Sequence, residues 1–386
     1  MNNEYKINQH DMTTLKTVKT PSYVIDKKLL IQNLERLQYV QDQTGCKILL
    51  ALKGFSMHST FSLVGEYLAG ITASSLFEAK LGREFMNKEV HVYAPAYRDD
   101  EFDEIMDTCD HIVFNSVDQY KHFKDKVSKS KTIECGLRVN PQYSEVETAL
   151  YDPCAPNSRL GTIESKIKAG DLEGLSGLHF HTMCEQQVDT LVRTIEVVET
   201  KFGKYLHQMK WLNFGGGHHI TKDGYDINRL VELVNYMQDK YNLQVYIEPG
   251  EAIALDCGYL VASVLDIVDN GMKIAIIDSS ASCHMPDVIE MPYRPYIIDS
   301  EEANIKEYTY RLGGMTCLAG DVVGDYSFDQ ELKIGDKLIF TDMAHYTMVK
   351  NHMFNGVNLP SIAIMDESRI QVIREFTYDD YKNRLS

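Results

Sequence analysis

The absences in this chain narrow its class before any motif is read. Its eight cysteines (46, 109, 135, 154, 184, 257, 283, 317) form no CxxC pair and no short regular spacing. Scattered thiols of that kind are expected to be reduced, in a cytosolic protein, rather than to build a disulfide framework. The N-terminal stretch MNNEYKINQHDMTTLKTVKT is polar and lacks the apolar segment of a secretory leader. No apolar run approaches the ~20 residues needed to span a bilayer. No basic cluster stands out either, and the formal net charge is −17. Nucleic acid and anionic membranes are therefore poor partners, whereas a cationic small molecule would be drawn towards the protein.

The remaining composition, 44% apolar and 25% charged over 386 residues, is that of a globular chain long enough for two or three domains. From about residue 29 to residue 250, short β-rich runs alternate with amphipathic stretches. The eight strand candidates are Lys47–Leu52, Gly70–Ser74, Val90–Ala94, His111–Phe114, Ile133–Val139, Gly177–His181, Trp211–Phe214 and Gln244–Glu248. Gln186–Phe202 and Ile227–Tyr241 are two of the helical stretches between them. That count and length predict an α/β fold with a (β/α)8 TIM-like barrel over 27–255. After Glu248 the texture changes to alternating β-branched runs, at Tyr259–Val268, Lys273–Asp278, Glu307–Arg311, Lys337–Thr341 and Ile370–Phe376. A mostly antiparallel β-domain is expected there, formed by 256–386 plus 1–26, with TPSYVID at 20–26 adding a strand.

Barrel enzymes collect their chemistry at the C-terminal ends of the strands. Lys53 follows five apolar residues, Ile48–Leu52. Desolvation there lowers an amine's pKa and makes it nucleophilic, as a Schiff-base lysine requires, although a lysine at a strand end can also merely snorkel. Gly215-Gly216-Gly217 follows the seventh barrel strand, where such folds bind phosphate through backbone N–H groups, and Gly250 could complete the cup. Glu248, before Pro249, could hold a pyridine-type nitrogen protonated or form a structural ion pair. His179 and His181 share a strand face, and His218 and His219 are nearby. No carboxylate cluster of ligand spacing accompanies them, so one ring in the core and one lining the mouth is expected, with no metal. Lysine, phosphate cup, ring-facing histidine and carboxylate at one mouth together point to pyridoxal 5′-phosphate.

With these residues in place, the chain resembles the fold-type III pyridoxal-phosphate enzymes, which pair an alanine-racemase-like barrel with a β-domain. Within them it resembles the basic amino-acid decarboxylases, in the branch that acts on carboxypolyamines. The motifs are ALKGF (51–55), TASSLFE (72–78), SRLG (158–161), GLHFHTMCE (177–185), NFGGGHHIT (213–221), EPGEA (248–252) and CLAGDVVGDY (317–326). The resemblance implies that Lys53 carries the cofactor and His181 stacks on its ring. It also implies that Gly215, Gly216, Gly217, Gly250 and Tyr346 bind the phosphate, that Glu248 pairs with the ring nitrogen, and that Arg159 lies near lysine and phosphate. Cys317 of a second subunit would donate the proton after carbon dioxide leaves, in a homodimer with shared sites. Asp321 would hold the substrate's amine end, with Glu251, Glu290, Asp287 and Asp325 as further contacts to a cationic tail.

Departures mark the branch. Ornithine and diaminopimelate decarboxylases carry arginine after Glu-Pro-Gly, where this chain has Glu251. Cys317-Leu318-Ala319 lacks the polar pair that follows the cysteine in diaminopimelate decarboxylases, and Thr72 replaces the aspartate of ornithine decarboxylases. The expected reaction is decarboxylation of carboxynorspermidine or carboxyspermidine, in polyamine biosynthesis. A diaminopimelate or ornithine/arginine-type decarboxylase is the alternative. A non-catalytic pyridoxal-phosphate carrier fits less well, because carriers resemble a lone barrel, and a metal-dependent barrel hydrolase would need His179 and His181 as ligands.

Overall fold

Eight short parallel strands close into a barrel in the computed structural model, which describes residues 7–386 other than 131 and 368. Residues 1–6, assigned above to the second domain and to a leaderless N-terminus, lie outside the described residues. The first strand, β1 (Ser22–Asp26), belongs elsewhere. The barrel strands are β2 (Lys47–Ala51), β3 (Gly70–Ala73), β4 (Glu89–Tyr93), β5 (His111–Phe114), β6 (Glu134–Arg138), β7 (Gly177–His179), β8 (Trp211–Asn213) and β9 (Gln244–Ile247). Pairing of Lys47 with Tyr246 and of Ile48 with Ile247 joins the last strand to the first. Strands of three to five residues leave each loop starting close to the mouth, which is why the motif residues lie just past the strand ends.

The helices that wrap the barrel form for ordinary reasons. In Val188–Leu206, the residues Leu191, Ile195, Val198 and Phe202 recur at helical spacing and are buried, while Arg193 and Glu196 on the other face are exposed. Ile227–Tyr241 starts at Asp226, whose side chain accepts the Arg229 N–H, and stops at Asn242 in the left-handed region. The end of the barrel opposite the mouth carries a buried polar layer on Glu89. Its carboxylate takes Lys47 Nζ at 2.8 Å, Tyr246 Oη at 2.8 Å and His91 Nε2 at 2.9 Å, so that half-buried charge is compensated.

The chain divides into two compact units, Gln32–Ile253 and a second made of the segment up to Ile31 together with Ala254–Ser386. The second unit is built on β10 (Gly258–Asp269), β11 (Lys273–Ile277), β12 (Ser300–Glu302), β13 (Tyr308–Gly313), β14 (Val322–Phe328), β15 (Lys337–Thr341), β16 (Ser361–Asp366) and β17 (Arg369–Arg374). Its pairings are mostly antiparallel; β1 pairs antiparallel with β10 and parallel with β16. One core of this sheet packs Leu15, Val18 and Val24 against Tyr259, Val261, Ile339, Ala363 and Met365. Strands β12, β14 and β16 have no counterpart among the strand runs read from the sequence. In β14 the reason is visible: Gly324 and Asp325 look like turn residues, but Asp325 faces Arg311 across the ladder and binds its guanidinium at 2.8 and 2.9 Å. Among the described residues, no helix is long and apolar enough to cross a membrane.

Candidate active site

Four barrel loops bring the site together within the unit Gln32–Ile253. The turn after β2 carries Lys53, with the Gly54 and Phe55 N–H groups both returning to the carbonyl of Ala51. Lys53 is an exposed residue, with Arg138, Glu248, Cys184 and Glu78 close enough for their charges to act on its amine. Burial and the charge of Arg138 push its pKa down, opposed by Glu248, Cys184 and Glu78. Glu78 is anchored by the Ser74 N–H at 2.6 Å, and burial raises its own pKa.

Glu248 is buried, and both carboxylate oxygens have partners. His179 Nε2–H donates to Oε2 at 3.2 Å, and Asn213 Nδ2 donates to Oε1 at 2.7 Å. Burial alone would raise this carboxyl; His179, His91 and Asn213 outweigh it and hold the pKa at about 2. Asn213 is also tied to the glycine turn, since its Oδ1 accepts the Gly215 N–H at 2.8 Å. His181 Nδ1 accepts the Gly216 N–H at 2.8 Å, which fixes the tautomer with its proton on Nε2. Burial, then Lys53 and Arg138, hold that ring's pKa well below the ordinary value, so it is a neutral plate. A Cβ on Gly216 would stand 2.5 Å from the Glu248 carbonyl oxygen and 3.2 Å from His181 Cε1. Only glycine allows the turn to approach both.

The structure brings Lys53, His181, Glu248 and the glycine turn together as read from the sequence, and it redistributes some details. His179 and His181 turn to different partners, Glu248 and Gly216, rather than converging on one point. His179 is therefore a ligand of the carboxylate and not a bystander in the core. Gly215 and Gly216 direct their N–H groups to Asn213 and His181, whereas those of Gly217 and Gly250 have no acceptor among the described residues. The arginine whose charge acts on Lys53 and His181 is Arg138, buried at the end of β6, where its Nη2 donates to the His181 carbonyl at 3.3 Å and its guanidinium lies 4.6 Å from the Tyr93 ring. Arg159 is exposed and its charge bears on Tyr93 instead. Sequence reading missed Arg138, Tyr93 and Asn213, although all three stand at strand ends, where the same logic would have found them.

Of the acidic residues expected to meet a cationic tail, Glu251 lies in the barrel unit and accepts from His219 Nε2 at 3.1 Å. The ligand atoms of Glu185, His219 and Glu251 lie within 4.8 Å of one another. The other four belong to the second unit. There Asp287 and Glu290 both pair with Lys350, and Asp325 pairs with Arg311. Cys317 is exposed on its loop, Asp321 is buried beneath it, and Tyr346 is half-buried with φ +46° at the start of the short helix Thr347–Lys350.

The residues present fit pyridoxal 5′-phosphate: an amine with a lowered pKa, a neutral imidazole plate, a buried ionised carboxylate, and two N–H groups on glycine turns with no acceptor among the described residues. A lysine-bearing parallel barrel joined to a β-sheet unit is the architecture of the fold-type III pyridoxal-phosphate enzymes.

Comparison with known proteins narrows the class. The family model described as "Pyridoxal-dependent decarboxylase, C-terminal sheet domain" matches residues 22–344. The chain is 46% identical over 379 residues to the carboxynorspermidine/carboxyspermidine decarboxylase of Campylobacter jejuni, covering 95% of this chain and 98% of that one. It is 42% identical over 385 residues to the carboxyaminopropylagmatine decarboxylase of a Synechocystis species, covering 99% of each. The crystal structure of carboxynorspermidine decarboxylase from Campylobacter jejuni, complexed with norspermidine, superposes with a TM-score of 0.89 at 46% identity, over 95% of this chain and 100% of that one. The chain belongs to the pyridoxal-dependent decarboxylase family.

Proposed function

We propose that this enzyme removes the α-carboxylate of carboxynorspermidine or carboxyspermidine, releasing norspermidine or spermidine. The observation that carries the reading is the site itself: Lys53, His181 and Glu248 stand together in a chain matched over 95% of its length by a decarboxylase of that name. Bound pyridoxal 5′-phosphate supplies an electron sink for the bond to the departing carboxylate. Lys53 holds the cofactor through its amine, and its lowered pKa eases loss of the Nζ proton when the amine exchanges with the substrate's α-amine. His181 offers the ring a neutral face, held in orientation by Gly216. Glu248, fixed by His179 and Asn213, keeps a proton on a ring nitrogen through a charge-assisted hydrogen bond. Gly217 and Gly250 present N–H groups to the phosphate, with Gly215 and Gly216 shaping the turn, and Tyr346 adds a hydroxyl.

Loss of carbon dioxide leaves an α-carbon that must take up one proton. We assign that proton to Cys317 Sγ, contributed by a second copy of the chain in a homodimer. For the substrate's cationic tail, Glu251 is the acidic residue the geometry favours. Asp287, Glu290 and Asp325 are matched by lysine or arginine within their own unit. A cytosolic location accords with eight cysteines that are all free.

Decarboxylation of carboxyaminopropylagmatine is the second reading, favoured by the 42% identical relative of that name. Both readings are tested by carbon dioxide release from carboxynorspermidine, carboxyspermidine, carboxyaminopropylagmatine, meso-diaminopimelate and ornithine in parallel. Release confined to the first two supports the proposal. Dominant turnover of the third replaces the substrate, and dominant turnover of the last two overturns the carboxypolyamine class.

A further inference from the structure

The loop that carries Cys317 is held by two side chains, Asp321 and Asn355. Asp321 is 4% exposed. Its carboxylate accepts Ser280 Oγ at 3.0 and 2.9 Å, the Ser282 N–H at 3.2 Å, the Thr316 N–H at 3.1 Å and Thr316 Oγ1 at 2.7 Å. A carboxylate has about four lone-pair sites, so four donor groups fill it. The backbone closes around the same point, with Gly314 N–H to the Asp321 carbonyl at 2.9 Å and Asp321 N–H to Leu318 at 2.9 Å. A Cβ on Gly314 would overlap the carboxylate, so residue 314 must be glycine for Asp321 to sit there.

The second hold comes from outside the loop. Asn355 Oδ1 accepts the Cys317 N–H at 2.8 Å. Asn355 is exposed and has φ 56°, a left-handed conformation that asparagine tolerates. Thr316, immediately before the cysteine, is pinned through both its N–H and its hydroxyl, and after the cysteine the Leu318 N–H returns to Thr316 Oγ1 at 3.3 Å, so the backbone is held on either side of the Cys317 Cα. The thiol itself stays exposed.

We infer that Asp321 and Asn355 are positioning residues for the Cys317 thiol, and that Asp321 is not the ligand of the substrate's amine that the family resemblance implies. The inference rests on the reading of Cys317 as the proton donor. A thiol that must reach one carbon and no other needs a backbone that does not drift, and displacements near 1 Å can cost about 10²-fold in rate.

The test uses the holoenzyme and the variants Cys317→Ala, Asn355→Ala, Asn355→Asp and Asp321→Asn. Three quantities are measured: kcat and KM separately, the alkylation rate of Cys317 by iodoacetamide, and the fraction of turnovers ending in an aldehyde and pyridoxamine 5′-phosphate. In that side reaction the proton goes to the cofactor, the amino group stays on it, and water supplies the aldehyde oxygen. For Asn355→Ala we expect kcat to fall about five- to ten-fold with KM little changed, the aldehyde fraction to rise, and the alkylation rate to change. Asn355→Asp, which keeps an acceptor oxygen, should restore all three. Asp321→Asn should act like Asn355→Ala; a rise in KM with unchanged kcat would make it a substrate ligand and overturn the assignment. If Asp321→Asn fails to fold, the surface position Asn355 decides: wild-type values in Asn355→Ala overturn the inference. If Cys317→Ala leaves kcat and the aldehyde fraction unchanged, it is the proton-donor reading that fails.

Discussion

Asn213 donates to Glu248 through its amide nitrogen at 2.7 Å while its carbonyl oxygen takes the N–H of Gly215 at 2.8 Å. One side chain thus locks the carboxylate to the glycine turn, tying the two ends of a cofactor-sized site to each other. The sequence separation between Asn213 and Glu248 is bridged because β8 and β9 are neighbours in the barrel. Asn213→Ala removes the donor from an oxygen of the buried Glu248 and the acceptor from a turn N–H. We expect a loss of about 1–3 kcal/mol in urea unfolding, from the unsatisfied groups, and a weakened affinity for pyridoxal 5′-phosphate. Equilibrium dialysis of the cofactor against wild type and variant checks the second effect. Unchanged affinity would mean that the lock is structural only.

Lys53→Arg keeps a cation at the mouth but has no amine able to bond a carbonyl carbon. Turnover should fall by about 10³-fold or more, and the absorbance of lysine-bound cofactor should vanish from the spectrum. A variant that retained either property would remove Lys53 from its assigned place.

Glu251 presents a carboxylate where ornithine and diaminopimelate decarboxylases have an arginine. With His219 at 3.1 Å it is oriented, and among the described residues no lysine or arginine forms an ion pair with it. If it meets the tail of a polyamine, Glu251→Gln should raise KM for carboxynorspermidine about ten-fold, near the lower end for one charged hydrogen bond, and leave kcat within about two-fold. Steady-state kinetics with carboxynorspermidine and with ornithine separate the outcomes, because ornithine has a shorter tail. Equal changes in both KM values would point to a disturbed cofactor mouth.

How much of this was readable beforehand depends on the kind of information each residue carries. The barrel was legible because its eight strands keep short apolar cores between helical stretches, and that periodicity is local. Lys53, His181 and Glu248 were legible because a charged or polar residue directly after an apolar run is a local anomaly. Arg138 and Asn213 are harder to see because each is the last residue inside a strand, and the partners that give them a place in the site, the His181 carbonyl and Glu248, are distant in the chain. The roles of His179 and Asp321 were not legible at all. Each is set by partners far away in the chain, Glu248 for one and Ser280 with Thr316 for the other. Strand β14 was hidden for a related reason, its charged residue being matched only across the ladder.

His218 is 2% exposed, just after the glycine turn, and its Nε2 faces the Phe214 carbonyl at 3.4 Å. Burial lowers its pKa from 6.5 to about 4, against the opposing pull of the Phe214 and Gly215 carbonyls and of Glu248. Below pH 6.5 the unfolded chain takes up a proton at this ring that the folded chain refuses until about pH 4. The unfolded state therefore binds more protons, stability rises with pH in that window, and it is lost as pH falls through it. At pH 5 the loss from this one ring is about 2 kcal/mol. His91 and His284, each also lowered by burial to about 4, add losses in the same direction. His218→Gln keeps an amide able to reach the Phe214 carbonyl but does not titrate. Its unfolding free energy should drop less than that of wild type between pH 7 and pH 5, by about 2 kcal/mol, whatever its starting stability at pH 7. Urea unfolding of both proteins at the two pH values measures this, and equal drops would show that His218 is protonated in the folded barrel.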